Sequence, residues 1–127
     1  MTIAPLFIHR SGGDMPLTAL LYCNDLAETE RHYRDVLGFT VAGSAESTLT
    51  VRLGDCSLVF TQENPWGGPA ACSATFYLVI EQVDRYYDAV KERATIAWPL
   101  QDMPYGSREF GVRDCNGYHL GFSQAQG

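Results

Sequence analysis

An imidazole and a carboxylate flank one turn near the end of the chain. Glu109 precedes the turn Asp114-Cys115-Asn116-Gly117 and His119 follows it. Such a pair can serve as general acid and general base on a bound carbonyl compound. Each also has a plainer reading, His119 as a hydrogen-bonded wall residue and Glu109 as the partner of Arg108 or Arg113 at a rim. The other reactive side chains are scattered. Cys23, Cys56, Cys72 and Cys115 contain no CxxC pair, which argues against a zinc ribbon or a thioredoxin-like centre. Cys23 lies in an apolar run and reads as a buried reduced thiol. Cys115 has no neighbouring His or Lys in sequence to activate it. Lys91, the only lysine, falls on a helix away from any cavity, which disfavours Schiff-base chemistry. His9 and His32 read as surface residues without a role. Neither a glycine-rich phosphate loop nor a GxSxG elbow occurs.

The elements that would carry these residues recur in order. Residues 1–15 read as an extended arm ending in the flexible joint Ser11-Gly12-Gly13-Asp14. An apolar run of strand length, Pro16 to Cys23, comes next. Asp25, with Glu28 three residues on, opens a helix that runs to about Leu37 and stops at Gly38. Strands are expected at Phe39–Ala42, Thr48–Leu53 and Ser57–Thr61. The stretch from 63 to 73, with two prolines and two glycines, reads as a linker. A second strand–helix pair follows, Thr75–Ile80 and Val83 to about Arg93. Then come a short strand, Ile96–Trp98, ending at Pro99, and a hairpin, Arg108–Arg113 with Tyr118–Ser123, turning at Asn116-Gly117. The chain is thus strand–helix–three strands, twice: a first module at 16–62 and a second at 74–124. Thr18 and Thr75 correspond, as do Leu58-Val59-Phe60 and Leu120-Gly121-Phe122. One helix covers one face of each sheet, so the other face must meet the second half, a second chain or a ligand.

The 127 residues suffice for one domain or two small modules sharing a core. With 46% hydrophobic and 19% charged residues the composition is globular. A net charge of −6 disfavours nucleic acid as a partner and favours cationic ligands. No apolar run approaches the length of a membrane span, and the first residues lack the features of a signal peptide. The expected compartment is therefore the cytoplasm, with no membrane partner.

Two stretches carry a family resemblance. Leu17-Thr18-Ala19-Leu20-Leu21-Tyr22-Cys23-Asn24-Asp25-Leu26, followed by His32-Tyr33-Arg34-Asp35-Val36-Leu37-Gly38-Phe39, resembles the first module of the vicinal oxygen chelate superfamily. Tyr105 to Phe122 resembles its closing hairpin, most of all in the bleomycin-resistance-like branch, with Cys115 where members usually have Pro. The superfamily includes glyoxalase I, bleomycin resistance proteins and extradiol dioxygenases. The resemblance spans about residues 16 to 124. It implies an α+β fold of two tandem βαβββ modules, each a half-open mixed sheet with a concave cavity and its helix on the outer face. It also implies a homodimer.

Metal-dependent members carry His, Gln or Glu ligands on the first and last strands of each module. The resemblance puts those places at Thr18, Val59, Thr75 and Gly121. Two hydroxyls, an isopropyl group and a hydrogen are not donors for zinc, iron or manganese, so the expectation is no metal and no cofactor. Strand alternation from these places turns Leu20, Tyr22, Tyr77 and His119 inward, along with Ser57, Thr61, Val79 and Ser123. Family geometry adds Glu109 and Gly111, with Phe110 and Val112 under the helix and Trp98 and Tyr105 beside the mouth. Trp66 in the linker is either a staple between modules or a lid.

The function expected from this is metal-free sequestration of a small hydrophobic or cationic molecule in an aromatic-lined cavity. The alternatives are an enzyme of the same superfamily, a lyase, isomerase or dioxygenase, using metal or His119 and Glu109, and a regulatory module whose dimer surface matters more than its cavity.

Overall fold

The computed structural model describes residues 18–45, 47–64, 66–67 and 74–126. The expected arm at 1–15, His9, Cys72 and much of the linker lie outside the described residues. Two four-stranded mixed sheets are present, each with a helix. The first contains β1 (Ala19–Tyr22), β2 (Thr40–Ala45), β3 (Thr48–Leu53) and β4 (Cys56–Thr61), with helix α1 (Leu26–Arg31). The second contains β5 (Thr75–Ile80), β6 (Thr95–Asp102), β7 (Arg108–Arg113) and β8 (His119–Gln124), with helix α2 (Val83–Val90). The strand orders are β1-β4-β3-β2 and β5-β8-β7-β6, so the repeated strand–helix–three-strand pattern forms two equivalent α+β units. No helix among the described residues is long and apolar enough to cross a membrane.

The repeat extends to single residues. Leu20 pairs in parallel with Val59, and the corresponding Tyr77 pairs with Gly121. The first free N–H of each helix meets a glutamine from the end of its own sheet. Leu26 N donates to Gln62 Oε1 at 2.6 Å and Val83 N to Gln124 Oε1 at 2.9 Å. Each side-chain amide thereby fills one of the acceptor vacancies that every helix start leaves. On α1 the Asp25 carboxylate, as its neighbours in sequence suggest, also accepts from Glu28 N at 3.1 Å.

Alternation along the strands sends Leu58, Phe60, Leu78, Phe110, Val112, Leu120 and Phe122 toward the helices, where all are buried. The two units share this core. Tyr33 packs edge-on against Phe39, Phe39 touches Phe122, and Phe122 touches Tyr86 of α2. Tyr86 Oη donates to the Leu37 carbonyl at 2.7 Å. Each buried phenylalanine contributes about 1.5–3 kcal/mol from apolar burial.

The structure changes four sequence expectations. The first helix turns π-helical over His32–Val36, and Leu37 N donates to His32 O. Over a single turn the two helical repeats place apolar residues on nearly the same face, so sequence spacing does not separate them. Helix α2 ends at Val90, and residues 91–93 form a turn closed by bonds from Arg93 N and Ala94 N to Val90 O. β6 continues through Pro99 to Asp102. This is possible because β6 is an edge strand with pairing already irregular between Trp98 and Gln101, so the missing N–H costs no regular ladder bond. Finally, His32 is half-buried, not a surface residue. Its Nε2 has no hydrogen-bond partner among the described residues, and burial lowers its pKa.

Candidate functional site

The helix-free face of the second sheet is aromatic, and glycines make it so. Four residues form one row across the strands: Tyr77 on β5, Gly121 on β8, Gly111 on β7 and Trp98 on β6. A Cβ added to Gly121 would come within 2.6 Å of Tyr77 Cε1, and one added to Gly111 would run into the Trp98 ring. The two rings therefore lie down over the two glycines, with centroids 6.5 Å apart and planes at 51°. Glycine inside a strand often marks such a close approach. Trp98 Nε1 is buried without a hydrogen-bond partner among the described residues.

Glu109 lies two residues from Gly111 on the same face of β7 and is only 1% exposed. Tyr77 Oη donates to its Oε2 at 3.1 Å and Tyr105 Oη to its Oε1 at 3.0 Å. Among the described residues Glu109 forms no rim ion pair with Arg108 or Arg113. Arg108 points away and holds Asp84 at 2.8 Å and Asp102 at 3.1 Å. Loss of hydration, then the bond to Glu109, raises the Tyr77 pKa. The same causes, with Tyr77 added, push Tyr105 up to about 12. Both phenols thus remain proton donors at neutral pH. The rings themselves reach the surface, Tyr77 at 53% and Tyr105 at 66% exposure.

The remaining expected residues are spread over both sheets. Thr18, just before β1, and Thr75, at the start of β5, are exposed, and Val59, Tyr22 and His119 are half-buried. Leu20 is 48% exposed and shares its level of the first sheet with Val59 and Thr50. Phe110 and Val112 lie under α2, leaving Glu109 and Gly111 on the open side.

His119 and Glu109 are not brought together. Glu109 stands opposite Ser123, whereas His119 stands opposite Arg113. Four residues of strand, about 13 Å, separate their levels. One small carbonyl compound does not span that distance, so the two do not form an acid–base pair on it.

The metal places do not fit an ion. Thr18, Val59, Thr75 and Gly121 offer no carboxylate, imidazole or thiolate, and the Tyr77 ring covers Gly121. Among the described residues no group of three or more His, Cys, Asp or Glu side chains could hold a metal.

Gly111 and Gly121 face inward as expected from the sequence, and the structure adds that each seats an aromatic ring. The sequence carries a signal for this, because both lie five residues or fewer from the Asn116-Gly117 turn, on strands that must pair.

Comparison with known proteins bears on this geometry. The model of the Glyoxalase/Bleomycin resistance protein/Dioxygenase superfamily matches residues 16–122. No curated protein matches. The fold is similar to that of a bleomycin resistance determinant encoded on the transposon Tn5, with TM-score 0.72, 20% identity and coverage of 89% of this chain and 99% of that one. It is also similar to the bleomycin-binding protein from Streptomyces verticillus complexed with copper(II)-bleomycin, with TM-score 0.69, 19% identity and coverage of 89% and 98%. Lactoylglutathione lyase from Agrobacterium tumefaciens gives TM-score 0.68, 19% identity and coverage of 90% and 96%. At these identities the likeness is one of fold.

Proposed function

The chain belongs to the glyoxalase/bleomycin resistance protein/dioxygenase superfamily, and from that premise we propose that it is a metal-free binding protein that sequesters a flat or amphipathic small molecule. The observation that carries this reading is the row Tyr77–Gly121–Gly111–Trp98, in which two rings are each seated over a glycine and one of them stays half open to solvent. Rings fixed this way lose little freedom when a planar ligand stacks on them. The misfit of the metal places supports binding without Lewis-acid chemistry. Two structural neighbours, a bleomycin resistance determinant and a bleomycin-binding protein, make bleomycin a sensible first probe.

The protein works as a homodimer in the cytoplasm. Leu20, Tyr77 and Val79 on the helix-free faces are exposed in the single chain, as expected of surfaces completed by a second copy or a ligand. The free thiols Cys23, Cys56 and Cys115 suit a reducing compartment.

Trp98 supplies the test. In a Trp66→Phe background it is the only tryptophan. Titration with bleomycin and with planar aromatic compounds should quench or shift its emission at one site per chain, and Tyr77→Ala should weaken the response at least tenfold. Light scattering should give twice the chain mass. Unchanged Trp98 emission with every compound at millimolar concentration would overturn the proposal.

A further inference from the structure

We infer that the site selects organic cations, and that its ligand carries a positive group about 7 Å from a planar ring. This inference rests on the binding reading above and specifies its ligand class. Glu109 is a carboxylate shut away from water, yet among the described residues it makes no ion pair. Its two hydrogen bonds come from neutral phenols. A carboxylate has about four acceptor positions, so acceptor capacity remains, and a buried charge without a counter-charge is unfavourable. A cation nearby relieves that condition; a neutral or anionic group does not.

The route of recognition runs through the rings. Tyr77 and Tyr105 each donate a proton to the same carboxylate while exposing the ring to solvent. Donation to an anion pushes electron density back into the phenol and makes the ring face more negative. Ammonium and guanidinium groups are drawn to such faces. Glu109 is therefore a positioning residue, acting on the cation through the two rings that cover it. The nearest arginine in sequence, Arg108, is tied to Asp84 and Asp102 and does not compete.

The spacing follows from the strand. Gly111 supports the Trp98 ring, and Glu109 lies two residues along the same face of β7. Two residues of strand span about 7 Å. A planar ring on the Tyr77–Trp98 surface thus places its substituent beside Tyr105 when the substituent is that far away.

Three probes that share a 2-naphthylethyl skeleton and end in a cationic, a neutral or an anionic group test this: 2-(naphthalen-2-yl)ethylamine, 2-(naphthalen-2-yl)ethanol and 3-(naphthalen-2-yl)propanoate, each titrated calorimetrically into the full chain at pH 7. The ammonium should bind about tenfold more tightly than the alcohol, and the carboxylate most weakly. Glu109→Gln should abolish the preference for the ammonium over the alcohol. Tyr105→Phe, which keeps the ring and removes one donor, should reduce the preference without abolishing it. Equal affinity of the wild-type protein for ammonium and alcohol overturns the cation inference and leaves the ring-binding proposal standing. Absence of binding by all three overturns both. The wild-type comparison decides the matter even where a variant fails to fold.

Discussion

The Tyr33 hydroxyl donates to the Asp114 carboxylate at 2.7 Å, joining residues 81 positions apart. Both side chains are buried, and they belong to different units of the fold. Asp114 Oδ1 meanwhile accepts from Asn116 N at 2.9 Å and Tyr118 N at 2.7 Å. One carboxylate thus shapes the β7–β8 turn and clasps the first helix to it.

Tyr33→Phe keeps the ring packing and removes the clasp. It should cost about 1.5–3 kcal/mol, the range for a hydrogen bond to a charged acceptor, read as a lower urea midpoint at constant m-value. Asp114→Ala should cost more, because it also strips the turn of its acceptor. An unchanged midpoint in Tyr33→Phe would mean that apolar contact alone holds the units together.

Alkaline pH should loosen the same clasp. Burial first, then the charge of Asp114, holds the Tyr33 pKa well above its ordinary 10.0. A group whose folded pKa is raised gives its full stability below the unfolded value and loses it as pH rises toward the folded one. Stability should therefore stay level with respect to this group up to about pH 10 and fall above it. Tyr33→Phe should show a shallower fall, measured by urea unfolding across that window.

Acid should act through His32. Burial lowers its folded pKa below 6.5, outweighing the opposing influence of Asp114 and Glu28. The neutral form is the one the fold prefers, so this contribution is complete above pH 6.5 and is lost as pH falls through the lowered value. His32→Gln should flatten the stability profile below pH 6.5. A profile identical to that of the wild type would remove His32 from the account of acid sensitivity.

The glycine floor can be tested one methyl group at a time. Gly121→Ala drives a Cβ to within 2.6 Å of the Tyr77 ring, and Gly111→Ala does the same to Trp98. Each should cost about 1–3 kcal/mol from overpacking. Gly111→Ala should also shift the Trp98 emission in the Trp66→Phe background. Unchanged thermal midpoints and spectra would show that the rings move aside freely.

Ligand affinity should not depend on divalent metal. Prolonged dialysis against EDTA should leave calorimetric affinity for the naphthyl probes within twofold, since Thr18, Val59, Thr75 and Gly121 supply no strong donors. A large loss restored by zinc, nickel or iron would point to donors outside this set.

Much of the fold was legible because it depends on local rules. Alternation in Thr48–Leu53, the helix start at Asp25 and the Asn116-Gly117 turn each act over a few residues, and all three appear where the spacing places them. The duplication of the strand–helix–three-strand pattern in sequence corresponds to the two sheets. What escaped detection was long-range or depended on edge position. Sequence gives no hint that Tyr33 reaches Asp114, nor that Gln62 and Gln124 cap equivalent helices from equivalent strand ends. Charge complementarity alone leaves Arg108 and Arg113 open as partners of Glu109, whereas strand alternation turns Arg108 to the opposite face and the two phenols take the carboxylate. Pro99 reads as a strand end because sequence alone does not reveal which strand lies at an edge.

That proline has a protective consequence. An outer strand offers its free N–H and C=O groups to any extended chain that drifts alongside, and such templating is how soluble sheets begin to form fibrils. With Pro99 interrupting its row of donors and Asp102 adding charge at its end, β6 presents a broken template. The margin of the second sheet is thereby guarded against growth by strand addition, even though the aromatic face beside it remains exposed.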